Sequence, residues 1–208
     1  MKHFFLFAIA GILLSFGPLS RAADKNGTKP AQLETATFAA GCYWGTEEFF
    51  RKIPGVMETQ VGFTGGTTPH PKYEETHDGH TGHAESVEIK FDPSKVSYEH
   101  LLDQFFKMHD PTTKDQQGND AGSQYRSAIF YHGQKQKQEA EAFKAKVEKS
   151  KAWKAPIVTE IAEAKTFWPA EEAHQKYWLK IRAVTTTTTC EKFPSTPNVA
   201  PKPQAPRC

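Results

Sequence analysis

The sequence predicts an α+β fold: a two-layer sandwich with helices packed on a mostly antiparallel sheet. Its segments follow the order β-α-β-β-α-β of a ferredoxin-like core. Apolar residues also switch between strand period, over residues 84–91, and helix period, over residues 98–106. The 208 residues suffice for one domain with a sizeable core.

Each element has its own signal. Residues 35–40 are small, β-branched or aromatic, as a buried strand requires. Gly41-Cys42-Tyr43-Trp44-Gly45 follows as a junction, and a short helix then sets Trp44, Phe49 and Phe50 toward the core among Glu47, Glu48 and Arg51. Residues 56–63 form the second strand, closed by Thr64-Gly65-Gly66. A polar segment rich in Pro, Gly and His spans residues 67–82, a loop length that is usually functional. In residues 84–91 Val87, Ile89 and Phe91 alternate onto a buried face, and Asp92-Pro93-Ser94 ends the strand. Ser97 caps a helix over residues 98–106, and Pro111 stops it.

A second polar loop covers residues 112–124, with Gly118-Asn119-Asp120 and Gly122 as turn residues. A strand over 125–132, a charged, solvated helix over 134–149 and a last strand over 157–162 follow. Trp168-Pro169-Ala170-Glu171-Glu172 opens a final helix that runs through Trp178. Five threonines, Cys190 and a proline-rich end lack core-forming periodicity. The expected organisation is a signal peptide at 1–22, a flexible segment at 23–34, a folded domain at 35–180 and an irregular, mobile tail at 181–208 carrying Cys190 and Cys208.

The signal peptide is read from basic Met1-Lys2-His3, the apolar run from Phe4 to Leu14, and small Ser20 and Ala22 flanking Arg21 at a cleavage site. The run is short for a membrane span, and an uncleaved anchor is the alternative. The expectation is an exported protein, periplasmic or secreted, monomeric and without stable membrane association after cleavage. A formal charge of +2 from 26 basic and 24 acidic residues leaves no electrostatic footprint for nucleic acid.

Cys42 stands where a strand gives way to a helix, so its thiol faces free N–H groups and the positive end of a helix dipole. That setting favours thiolate; the alternative is a buried cysteine acting as a small hydrophobe. Cys42, Cys190 and Cys208 make an odd count for an exported chain. Either two pair structurally, or Cys42 is a nucleophile with a tail cysteine as its resolving partner. By alternation Glu85 shares the buried face of Val87, Ile89 and Phe91, where a carboxyl keeps its proton and can act as a general acid. Tyr73 and Tyr125 lie in or beside the two long loops, where a phenol can donate. His77, His80 and His83 offer a rival zinc or copper site, although Gly79 and Gly82 argue against a helix that would align them. A thiol peroxidase, which also forms a sulfenic acid, and a non-enzymatic exported module compete with both.

The motifs in series resemble the A-type peptide methionine sulfoxide reductases. The resemblance runs through Gly41-Cys42-Tyr43-Trp44-Gly45, Gly62-Phe63-Thr64-Gly65-Gly66, Pro71-Lys72-Tyr73-Glu74-Glu75 and Thr81-Gly82-His83-Ala84-Glu85. It continues through Phe91-Asp92-Pro93, His109-Asp110-Pro111, Gln117-Gly118-Asn119-Asp120, Gly122-Ser123-Gln124-Tyr125-Arg126-Ser127 and Ala170-Glu171-Glu172-Ala173-His174-Gln175-Lys176-Tyr177. It implies that Cys42 attacks the sulfur of the S-epimer of methionine sulfoxide, free or in oxidised proteins. Glu85 would protonate the oxygen, Tyr73 and Tyr125 would hydrogen-bond it, and Asp120 would organise the pocket. Tyr43 and Trp44 would wall the methyl group. It further implies a Cys42 sulfenic acid resolved by Cys190, Cys208 as a possible second recycling thiol, and a thioredoxin-like reductant. No metal, flavin or nucleotide cofactor is implied. The departures are Tyr43 for a common phenylalanine, Phe63 for a frequent tyrosine, His77 where some members carry an extra cysteine, and a tail that is not glycine-rich.

Overall fold

The computed structural model describes residues 32–188. The expected signal peptide, most of the flexible segment, Cys190, Cys208 and the proline-rich end lie outside the described residues.

Among the described residues eight strands and five helices follow one another: β1 (Glu34–Ala40), α1 (Tyr43–Phe50), β2 (Val56–Thr64), α2 (Tyr73–His77), β3 (Ala84–Phe91), α3 (Tyr98–Met108), β4 (Gln116–Gln117), β5 (Asp120–Ala121), β6 (Ser127–Tyr131), α4 (Gln134–Ser150), β7 (Glu160–Glu163), β8 (Trp168–Pro169) and α5 (Tyr177–Thr188). The main sheet runs β7-β6-β1-β3-β2-β8. Its four central strands, with α1 and α3 between them, are the ferredoxin-like core. β1 pairs antiparallel with β3 and β6, and β3 pairs antiparallel with β2. At the edges β7 joins β6 in parallel and β8 joins β2 antiparallel, so Pro169 sits on an edge strand, where a missing N–H is tolerated.

Alternation decides which face is buried under helices. Phe38 of β1 and Val87, Ile89 and Phe91 of β3 point into the main core. There Phe38 meets Phe50 at 5.3 Å, Tyr98 at 6.1 Å and Phe105 at 5.1 Å, ring centre to ring centre. Ser97 Oγ accepts the His100 N–H at 3.1 Å and starts α3, whose buried Tyr98, Leu101, Leu102, Phe105 and Phe106 keep helical spacing. Removing one such ring would cost about 3–5 kcal/mol.

Several elements differ from the sequence reading. The first long loop contains the short helix α2, and the second contains the β4–β5 hairpin and a 3-10 turn at Ser123–Tyr125. Trp168–Pro169 is a strand rather than a helix start, because its backbone completes the edge of β2. The final helix therefore begins at Tyr177 and continues to Thr188, into the threonine run. In α1 Glu47 is buried with Tyr43, Thr46 and Phe50, whereas Phe49 is only partly covered. No helix among the described residues is long and apolar enough to cross a membrane.

Candidate active site

β1 ends at Ala40 and the chain turns at Gly41, whose φ of +84° is left-handed. A β-carbon there would also overlap the Gln117 side chain, so both conformation and space call for glycine. Cys42 follows as the N-cap of α1, its carbonyl accepting the Thr46 N–H at 3.2 Å and the Thr46 hydroxyl at 3.1 Å. An N-cap thiol lies at the positive end of the helix dipole, which favours thiolate. Cys42 is disulfide-bonded.

Glu85 lies opposite Phe63 of β2 and is fully buried. Its Oε2 accepts the N–H of Tyr43, the residue after Cys42, at 3.0 Å. Its Oε1 is buried and, among the described residues, has no hydrogen-bond partner; His77 Nε2 stands 3.5 Å away. Burial pushes the carboxyl up to about 8, opposed by the Tyr43 N–H and assisted by the charge of Asp120. Glu85 therefore carries a proton at neutral pH.

Two phenols frame that carboxyl. Burial first, then the charges of Glu85, Asp120 and Glu74, push Tyr73 up to about 12. Burial, with Glu85, Tyr73 and Asp120 behind it, also raises Tyr125, against a hydrogen bond from the Gln124 side chain. Both phenols thus remain protonated donors. Asp120, on β5, acts on all three groups through its charge.

The apolar wall is built from α1 and the segment before α5. Tyr43 is fully buried, with Phe63 at 5.7 Å and His174 at 5.8 Å. Trp44 lies flat against Tyr177 at 3.9 Å and 6°, and His174 stacks on both Trp44 and Tyr73. The Tyr43 hydroxyl, Trp44 Nε1 and His174 Nδ1 are buried without hydrogen-bond partners among the described residues. Burial lowers His174, so its ring tends toward the neutral form.

The Ala170–Tyr177 segment is held by bonds to β2 and α1. Gln175 exchanges two hydrogen bonds with the Val61 backbone, at 2.9 and 2.8 Å. Buried Glu47 accepts the Lys176 N–H at 2.8 Å, its ammonium at 2.6 Å and the Thr59 hydroxyl at 3.0 Å. These bonds set the ring of His174 and the stack of Tyr177.

The structure thus gathers Cys42, Tyr43, Trp44, Tyr73, Glu85, Asp120 and Tyr125 around one place, while Cys190 and Cys208 lie outside the described residues. It separates the three histidines of the proposed metal cluster. His83 accepts the Gly66 N–H and reaches Thr68 O, His77 turns to Tyr125, and His80 is exposed. The residues missed as site members are His77, His174, Tyr177 and Gln124. Their only signals were an imidazole in a loop already marked functional and a long motif to which no roles were assigned.

An N-cap cysteine beside a buried protonated carboxyl, on a ferredoxin-like sheet, defines a thiol-based oxidoreductase. Residues 34–198 match the family model described as peptide methionine sulfoxide reductase. The peptide methionine sulfoxide reductase MsrA of Methanoculleus marisnigri is 55% identical over 148 residues, covering 71% of this chain and 90% of that protein. Methionine sulfoxide reductase A of Corynebacterium diphtheriae aligns at TM-score 0.64 and 39% identity, covering 74% of this chain and 76% of the other. Reduced Mxr1 of Saccharomyces cerevisiae aligns at TM-score 0.68 and 35% identity, over 73% and 87% of the two chains. Mxr1 also has a structure in complex with Trx2, similar at TM-score 0.50 and 27% identity, over 71% and 86%. This chain belongs to the peptide methionine sulfoxide reductase family of oxidoreductases.

Proposed function

We propose that the protein reduces the S-epimer of methionine sulfoxide, free or protein-bound, to methionine through Cys42. One observation carries this reading: the buried Oε1 of Glu85, without a hydrogen-bond partner among the described residues, on a carboxyl protonated at neutral pH and bonded to the residue after Cys42. A sulfoxide oxygen leaves only once protonated, so the chemistry needs an acid facing a thiolate. The Cys42 thiolate attacks sulfur, Glu85 protonates the oxygen, and Tyr73 and Tyr125 donate to it. The S–O bond breaks, that oxygen passes to Cys42 as sulfenic acid, and methionine leaves. Asp120 keeps the Glu85 proton in place, and Tyr43 and Trp44 receive the methyl group.

A second thiol then displaces water from the sulfenic acid and forms a disulfide. Disulfide-bonded Cys42 supports that step. Cys190 is the proposed resolving residue and Cys208 a second recycling thiol. A thioredoxin-like dithiol is the proposed electron donor, supported by the Mxr1–Trx2 complex. The leader-like residues 1–22 support export and repair of oxidised exported proteins, with electrons relayed across the membrane.

The test is turnover of the two resolved epimers of a blocked methionine sulfoxide, with dithiothreitol as reductant and EDTA present. Only the S-epimer should react, and Cys42→Ser should abolish the reaction. No turnover of either epimer by folded, reduced protein would overturn the reading.

A further inference from the structure

Trp44 and Glu48 stand one turn apart on the same face of α1, and each meets α5. The Trp44 ring lies flat against Tyr177, the first residue of α5, at 3.9 Å and 6°. Glu48 Oε1 accepts from Arg182 Nη1, further along α5, at 2.5 Å. The ring stack belongs to the wall assigned to the substrate methyl group; the ion pair lies outside it.

α5 has little apolar seating of its own. Leu179, Ile181 and Val184 are 43%, 42% and 66% exposed, and among the described residues no side chain of α5 joins the main core. Its hold on α1 runs through stacking and charge: Lys176 to Glu47 just before the helix, Tyr177 on Trp44 at its start, and Arg182 to Glu48 beyond. Glu48 suits that role. Its side chain is 13% exposed, so the carboxylate is shielded from the solvent that weakens surface pairs. Arg51 Nε donates to Glu48 Oε2 at 2.6 Å, and Lys52 Nζ lies 2.5 Å from Oε1, so the carboxylate is fixed on α1 by its own helix. Removing Arg182 therefore leaves no unpaired charge behind on α1.

We propose that Glu48 and Arg182 are positioning residues that determine specificity: their ion pair holds Tyr177 flat on Trp44 and so sets the width of the methyl-receiving wall. The inference rests on the reductase reading and on Trp44 facing the methyl group. Neither residue touches the substrate, and no bond or proton changes hands; the pair acts through the ring stack. With the pair intact, the wall admits a methyl group and penalises one further methylene, a step worth about 10–200-fold in a closed apolar pocket. With the pair cut, Tyr177 moves off Trp44 and the larger alkyl group is tolerated.

The test compares the blocked S-epimers of methionine sulfoxide and ethionine sulfoxide, which differ by that methylene, as substrates of the full chain with dithiothreitol. Arg182→Met should lower the kcat/KM preference for the methyl compound by about fivefold, through KM rather than kcat, as the upper range of an exposed ion pair allows. Arg182→Lys keeps a cation on the same stem and should restore most of the preference. Glu48→Gln should lose about as much as Arg182→Met, and the double variant no more than either, since one pair is broken in all three. That cycle separates the tie to Glu48 from every other contact of Arg182. An unchanged preference in Arg182→Met or Glu48→Gln, losses that add in the double variant, or a fall in kcat with the preference intact would overturn the proposal. Absence of turnover of either compound by the folded, unaltered protein would instead overturn the reductase reading, and this inference with it.

Discussion

The Tyr43 N–H donates to Glu85 Oε2 at 3.0 Å, tying the start of β3 to the first turn of α1 one residue beyond Cys42. The same bond that fixes the carboxyl leaves its other oxygen free of protein partners among the described residues. Acid and thiol are thus positioned by a single backbone contact.

Glu85→Gln keeps an acceptor for Tyr43 and loses the acid. Its rate of sulfoxide reduction should fall by about 10²–10⁴-fold. Stability should move the other way. The folded protein holds the Glu85 proton up to about 8, whereas an unfolded chain releases it near 4.5. Stability from this group is complete below 4.5 and is lost as pH rises through 8, on the order of several kcal/mol. Denaturant melts at about pH 5 and about pH 9, on either side of that window, should therefore show Glu85→Gln gaining on the unaltered protein as pH rises.

His109 carries the opposite slope. It is buried, its Nδ1–H donates to Phe105 O at 2.7 Å, and its Nε2 accepts from Ser127 Oγ at 2.8 Å. Burial pushes its pKa down to about 4, against Phe105 O and Asp110. Its stability contribution is present above 6.5 and is lost as pH falls through 4, on the order of 3 kcal/mol. Thermal midpoints between about pH 7 and about pH 4 should fall less steeply in His109→Leu than in the unaltered protein.

Lys176→Met would leave Glu47 buried without its cation. The expected cost is about 2–4 kcal/mol in a denaturant melt. Hydrogen exchange should speed up in the Ala170–Tyr177 segment while β1 and β3 stay protected. Uniform loss of protection would show that the pair holds the whole domain rather than this segment.

Gly66→Ala should disrupt the turn that leads to α2, because a β-carbon there would overlap Thr81 O and the His83 backbone nitrogen. The His83 ring, which accepts the Gly66 N–H at 3.1 Å, would be displaced with it. Sulfoxide turnover should drop through misplaced Tyr73 while a folded core remains by near-ultraviolet circular dichroism. Full activity would contradict this account of the turn.

How much of this was legible in the sequence follows from the physics of each element. Glu85 was readable because alternation over eight residues leaves one face for Val87, Ile89, Phe91 and the carboxyl alike. Cys42 was readable because glycines and a strand-to-helix change flank it. Helix α2 was not, since five residues among prolines and glycines carry no measurable period, and His77 was read only as a ligand of the rival metal site. Glu47 looked like a solvated helix face because its cation lies 129 residues away in the chain. The final helix was expected to end at Trp178, and its continuation to Thr188 was missed because threonines have weak helix propensity and their helix is set by what precedes them.

The central claim is that Cys42 takes the oxygen from the substrate. A fully reduced chain carrying Cys190→Ser and Cys208→Ser should be mixed with one equivalent of blocked S-methionine sulfoxide and examined by mass spectrometry. The account predicts one thioether product per chain and one oxygen gained on Cys42, captured by a sulfenic-acid-selective reagent. Product formed without oxidation of Cys42, or Cys42 left as thiol with no product, would contradict it.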